Sequence, residues 1–174
     1  MLTLETERML LMALDRDHLN LCISDPQHLS KDLNIIVQPE IFSEESRQAI
    51  TIKSTRMLLV DRSMYLWYTY FLLVRKSDRR AMGVCGFKGA PTPYGSVELG
   101  YAIHEDFRNQ GYMTEAVRAL VEWAFQHEQC QRVTAETLKT NLASQHVLLK
   151  SGLALDRSSE NMLYWKIEKP GSRR

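Results

Sequence analysis

Hydrophobic and polar positions along this chain switch between two periods. Val97, Leu99 and Tyr101 alternate with Glu98, Gly100 and Ala102, the period of two that a half-buried strand requires. Farther on the period lengthens, and Ala116, Val117, Leu120, Val121 and Ala124 fall on one face of a helix beginning near Met113. The change happens across a short polar turn, Arg108, Asn109, Gln110 and Gly111. A strand, a glycine turn and a helix start, in that order, can hold an anion. The first-turn N–H groups lack partners within the helix, and the positive end of the helix dipole faces the turn. Gly111 offers no side chain to keep a phosphate from the backbone. The same arrangement also serves as a plain connection, and the turn alone does not choose between the two.

The remaining pattern predicts a sheet interleaved with helices. Glu7 to Leu14 reads as a first strand. Short helices follow over Asp15 to Leu21 and Pro26 to Leu33, with Asp15 and Asp25 as caps. Ser43 caps a longer helix reaching about Leu59, with Glu44 and Glu45 favouring its dipole. This polar first half is the expected wall of a substrate cleft. Met64 to Arg75 predicts a long aromatic strand, in which Tyr65 and Trp67 are candidate pocket residues. After the turn Lys76 to Arg80 comes a returning strand, Ala81 to Lys88, and then Val97 to Ile103 completes a meander. The helix to about His127 precedes a strand over Gln131 to Thr137. Asn141 caps a helix over Leu142 to Ser151, which Gly152 ends. Leu153 to Arg157 and Met162 to Ile167 form a last strand pair, and Lys169 to Arg174 reads as a frayed tail. The expectation is one α+β domain over residues 1–168, with a mixed, mostly antiparallel sheet flanked by helices.

Composition narrows the function classes. The 174 residues are enough for one core, and 44% hydrophobic with 25% charged residues is ordinary for a globular chain. A net charge of +1 argues against a broad nucleic-acid footprint. The longest apolar-rich run, Met64 to Val74, is too short and too aromatic for a membrane span, and the first residues do not read as a secretory signal. Cys22, Cys85 and Cys130 are odd in number and far apart, which fits a reducing compartment. Cytoplasmic residence is therefore expected. His127 and Cys130 are only two ligands, so no metal site is expected. Arg75, Lys76, Arg79 and Arg80 cluster at one turn, which reads as solvated.

Three blocks in sequence order resemble the GNAT acetyltransferase superfamily. Arg108, Gly111 and the following Thr114, Glu115 and Ala116 resemble its coenzyme A pyrophosphate loop, with Met113 where a small residue is usual. Glu98, Leu99, Gly100, Tyr101 and Ile103 resemble its central strand. Asn141, Ser144, Lys150 and Gly152 resemble its late helix. The opening Leu4, Glu5, Thr6, Glu7 and Arg8 is similar to the branch containing the ribosomal-protein N-terminal acetyltransferases.

The resemblance implies acetyl-CoA as cosubstrate and no metal. It implies that backbone groups of Tyr101, Ala102 and Ile103 pair with the pantetheine arm. Arg108, Asn109, Gln110, Gly111, Tyr112, Met113 and Thr114 would take the pyrophosphate, with Asn141 beside the pantetheine. The implied acceptor is a primary amine, either a protein N-terminus or a small amine, and assembly as a homodimer is left open. Transfer to an amine requires loss of a proton from an ammonium with a pKa of about 10. Glu98 is the candidate base, through water. Many relatives use a tyrosine four residues before the late-helix glycine; that position is Leu148 here, so Ser144 becomes the candidate proton donor to the leaving thiolate. Plain readings stand beside these: Asn141 caps a helix with or without a ligand, and Glu98 is an ordinary surface carboxylate. The competing function is an acyl-CoA-binding module with little catalysis.

Overall fold

The computed structural model describes residues 1–171. Its strands are β1 (Thr3–Glu5), β2 (Met9–Ala13), β3 (Phe71–Arg75), β4 (Arg80–Phe87), β5 (Ser96–Ile103), β6 (Arg132–Leu138), β7 (Ala154–Ser158) and β8 (Met162–Glu168). They form one sheet in the order β1-β2-β3-β4-β5-β6-β8-β7. Every neighbouring pair is antiparallel except β5 with β6. The helices are α1 (Arg16–Ser24), α2 (Pro26–Leu33), α3 (Glu44–Arg56), α4 (Tyr65–Tyr68), α5 (Tyr112–Phe125) and α6 (Leu142–Lys150). This is the expected mixed α+β architecture.

Strand periodicity divides the core into two layers. On β3, Phe71 and Leu73 face one way and pack with α5 residues such as Val117, Leu120 and Trp123. Leu72 and Val74 face the other way, against Leu19 of α1, Leu29 of α2 and Ile50 of α3. A strand buried on both faces reads as a continuous apolar run, which is why F-L-L-V shows no alternation. The predicted caps form: Asp15 accepts from the His18 N–H at 2.9 Å, and Asp25 accepts from the His28 N–H at 3.0 Å. Ser43 accepts from the Ser46 N–H at 3.3 Å. The α3 helix stops at Arg56, and a 3₁₀ turn over Met57–Leu59 completes the expected span.

Two elements differ from the sequence pattern. The strand β1 is unannounced, being three residues long and polar at both ends. The predicted strand beginning at Met64 begins instead at Phe71, preceded by a 3₁₀ turn over Arg62–Met64 and the single turn α4. The Thr69 N–H closes that turn on the Tyr65 carbonyl at 2.9 Å. Aromatic residues favour strands when considered locally. Here the Trp67 ring lies 4.7 Å from Trp123 and 5.2 Å from Phe87, and that packing fixes the helical turn. The basic hairpin turn is tied both within itself and to neighbouring segments. Arg75 donates twice to Asp78, at 3.0 and 2.6 Å, Lys76 pairs with Glu5 at 2.7 Å, and Arg79 donates to the Asn34 carbonyl at 2.7 Å. In the expected tail, the Lys169 N–H donates to the Gln131 carbonyl at 2.8 Å; residues 172–174 lie outside those described.

The strand β5 changes partners along its length. Ser96, Val97 and Glu98 pair with Arg132, Val133 and Thr134 of β6. Leu99 to Ile103 pair with Phe87 to Gly83 of β4 on the opposite side. Past Glu98, β5 and β6 share no ladder, while β6 runs on against β8 to Leu138. The β4 side is held close: a Cβ on Gly83 would stand 2.2 Å from the Ala102 carbonyl oxygen. The opening is therefore confined to the β6 side of β5.

Lys53 of α3 is 6% exposed, and its ammonium donates to the Phe87 carbonyl and, at 3.4 Å, to that of Tyr68. Burial lowers its pKa from 10.5 to about 7, with nearby Arg56 adding to the shift. The unfolded chain thus binds the proton more tightly. Stability from this residue is fully present above the unfolded value and is lost as pH falls toward about 7. Urea unfolding measured from pH 7 to 8.5 should show stability rising by up to about 1.4 kcal/mol per pH unit from this group. In Lys53→Met that slope should disappear.

Candidate functional site

A cleft of about 810 Å³ occupies the opening past Glu98. Its floor is Tyr101, Ala102, Ile103 and His104 at the end of β5. One wall is the start of α5, from Gly111 to Thr114, with Arg108 and Asn109 before it. The second wall is Asn141, Ser144, His146 and Lys150 around α6. The mouth is closed by Glu40, Ile41, Ser43, Glu45 and Ser46, where the chain enters α3.

The start of α5 is built for an anion. Gly111 occupies the N-cap position with φ of 81°, in the left-handed region that favours glycine, and no side chain caps the helix. The free N–H groups of the first turn therefore line the cleft instead of meeting a capping oxygen. Arg108 is exposed at the turn, with its Nε donating to the Ile103 carbonyl at 3.3 Å. Met113, which departs from the small residue of the resembled loop, is 3% exposed and packs in the core with Val117 and Leu120. Its side chain packs into the interior, and the residue also forms part of the cleft wall.

The α6 wall brings two hydroxyls together. Ser144 Oγ lies 2.7 Å from the Tyr101 hydroxyl, which also approaches the Ser144 carbonyl at 3.2 Å. Burial pushes the Tyr101 phenol well up, and the Ser144 hydrogen bond only partly offsets it, so Tyr101 keeps its proton. Asn141 caps α6, its Oδ1 accepting from the Ser144 N–H at 3.1 Å. That cap also holds Ser144 in place. Leu148 is fully buried in the core, so the position of the family's tyrosine serves packing here.

The sequence-predicted residues do not all meet at the cleft. Glu98 lies at the point where β5 and β6 part, ion-paired with Lys88, and it does not line the cleft. Gln110 turns its side chain back to the Asp106 carbonyl at 2.7 Å. Trp67 is 2% exposed within the aromatic cluster, and Tyr65 packs against the other core layer, so neither lines the cleft. The packing that makes α4 helical holds Trp67 in the core. Sequence reasoning missed His104, His146 and the individual mouth residues. No short pattern marks them, because they come from three separate elements. Among the described residues, no group of three or more His, Cys, Asp or Glu is placed to hold a metal. No described helix is long and apolar enough to cross a membrane.

The parted parallel strands open a cleft beside an uncapped helix start, a geometry suited to an extended ligand with an anionic end. The model of the GNAT acetyltransferase domain matches residues 8–154, and the chain belongs to that family. It is 30% identical over 165 residues to the uncharacterized N-acetyltransferase YjdG of Bacillus subtilis, covering 95% of this chain and 97% of that one. The fold is also that of ribosomal-protein-S5-alanine acetyltransferase from Vibrio fischeri, with a TM-score of 0.67 at 15% identity over 100% of both chains. It is similar to RimL, a ribosomal α-N-protein acetyltransferase solved with coenzyme A, with a TM-score of 0.66 at 17% identity, covering 96% of this chain and 98% of that one. The protein is an acetyl-CoA-dependent N-acetyltransferase.

Two substitutions in the loop should separate space from packing. Gly111→Leu places a side chain at a left-handed φ and 3.2 Å from the Arg8 guanidinium. Acetyl-CoA affinity measured by calorimetry should fall about tenfold or more, about 1.4 kcal/mol. Met113→Gly empties a core site and puts glycine in a helix. Thermal or urea unfolding should show a loss of about 3 kcal/mol or more, rather than any gain in acetyl-CoA binding.

Proposed function

We propose that the chain acetylates the α-amino group of a polypeptide N-terminus. The observation that supports this is the continuity of the cleft, from the uncapped α5 start along the open edge of β5 to a polar mouth. Glu40 and Glu45 at that mouth are both exposed, and they favour approach of a cationic amine. The likeness of the fold to two ribosomal-protein acetyltransferases adds to this reading of the acceptor.

In this reading the backbone of Tyr101 to Ile103 pairs with the pantetheine arm, and the first-turn amides of α5 hold the pyrophosphate. The amine nitrogen attacks the thioester carbonyl carbon, a C–N bond forms, and the C–S bond breaks. Glu98 lies at the strand fork outside the cleft lining and paired with Lys88, so the amine proton reaches it through water. Ser144 gives its proton to the departing sulfur and regains one from solvent, while Tyr101, hydrogen-bonded to Ser144 Oγ, keeps its own proton and orients that hydroxyl. The arrangement gains most from holding the two reactants in line, because a neutral amine attacks a thioester readily once positioned.

Release of free thiol from acetyl-CoA across N-terminal peptides and small amines tests the acceptor. Peptides should be turned over with the higher kcat/KM; equal or better turnover of small amines would overturn the peptide reading. Glu98→Gln should lower kcat by roughly a hundredfold with acetyl-CoA affinity little changed. Its acidic limb in the pH–rate profile should flatten or move. Near-normal turnover would remove Glu98 from the mechanism.

A further inference from the structure

Arg8 reaches the cofactor loop from the far end of the chain. It sits in the turn between β1 and β2, a turn that is itself fixed. The Lys76 N–H donates to the Arg8 carbonyl at 3.0 Å, and the Lys76 ammonium bonds the Thr6 carbonyl and Glu5. From this anchor, the Arg8 N–H and Nε donate to the two oxygens of Glu115, at 2.9 and 2.7 Å. A terminal nitrogen donates to the Gln110 carbonyl at 2.9 Å. The guanidinium also lies 4.5 Å over the Tyr112 ring. One planar fork therefore touches three residues at the start of α5.

These contacts have two consequences for an anion in the cleft. In a trans peptide the C=O and the N–H point in opposite directions. Holding the Gln110 carbonyl toward Arg8 thus aims the Gly111 N–H to the other side, where Gly111 lines the cleft. The second consequence is electrostatic. Glu115 lies in the first turn of α5. Burial alone would raise its pKa, but the hydrogen bonds from Thr6 and Arg8 outweigh that and keep the carboxyl ionised below its ordinary range. A bare carboxylate there would repel a diphosphate, and the Arg8 charge cancels it.

We infer that Arg8 is a positioning residue for the pyrophosphate loop, aiming the Gly111 amide at the diphosphate and neutralising Glu115 beside it. This rests on the reading that residues 108–114 take the pyrophosphate. Arg8 touches neither the thioester nor the acceptor in this scheme, so its effect is confined to the diphosphate end of the donor.

The test compares acetyl-CoA with acetyl-pantetheine, which carries the same thioester without the diphosphate. In Arg8→Gln, the ratio of kcat/KM for acetyl-CoA to that for acetyl-pantetheine should fall roughly tenfold, with the loss in the KM for acetyl-CoA rather than in kcat. Arg8→Lys keeps the charge but not the fork, and should lie between. Adding Glu115→Gln to Arg8→Gln should recover part of the loss, because the repelling charge is gone. The same ratio in Arg8→Gln as in wild type overturns the proposal, since a merely structural role lowers the unfolding midpoint without changing donor preference. If Arg8→Gln does not fold by circular dichroism, Arg8→Lys decides on the same ratio. A wild-type enzyme that shows no preference for acetyl-CoA over acetyl-pantetheine refutes the loop assignment itself, a distinct outcome.

Discussion

Past Glu98 and Thr134, strands β5 and β6 stop sharing hydrogen bonds, and the cleft exists because they do. A buried backbone edge without partners is costly, so such an edge persists where a ligand or water takes its place. The parting is a property of the whole sheet. On one side β4 holds Leu99 to Ile103 tightly, helped by the absence of a side chain at Gly83. On the other, β8 continues the ladder of β6 over seven residue pairs and pulls it away. The two halves of the sheet are thereby joined only at Ser96 to Glu98. The cleft opens beyond that junction.

The site combines groups whose first duty is structural. Asn141 caps α6 and thereby sets Ser144; Tyr101 continues the β5 pattern and delivers a hydroxyl 2.7 Å from Ser144 Oγ. Gly111 begins α5 without a capping side chain, which leaves amide groups to the cleft. In each case the backbone or side-chain group that would satisfy a neighbour is left available to a ligand or is itself held by one bond. Such a site needs few dedicated residues. On α6 the position of the family's tyrosine is Leu148, which belongs to the core, and the hydroxyls beside the cleft are those of Ser144 and Tyr101.

Both sheet faces are covered, and the two core layers have different work. The layer under α5 is aromatic and closely stacked, with Trp67, Phe87, Trp123 and His127 within 4.4 to 5.8 Å ring separations. It packs against the C-terminal end of α5. The other layer, under α1 to α3, is aliphatic and carries the mouth residues at its end. Buried Lys53 joins α3 to the carbonyls of Tyr68 and Phe87, so the mouth-bearing helix is tied to the sheet by a polar bond inside an apolar layer.

Much of this protein is written in its chain. The two periods on either side of Arg108 to Gly111, the caps at Asp15, Asp25, Ser43 and Asn141, and the left-handed turn at Gly152 all follow from local chemistry that neighbours in sequence supply. The strand–turn–helix junction and the order of the three resembled blocks made the family and its acetyl-CoA legible. What local chemistry could not express was decided by contacts between distant residues. Trp67 became core and α4 helical because Phe87 and Trp123 were there to pack against. Met113 went into the core because the α5 face turned it inward. Glu98 met Lys88 across the β4–β5 boundary, and Arg8 met Glu115 across 107 positions of chain. A short-range pattern reports which face of an element is apolar, but only the closed sheet determines which elements share that face.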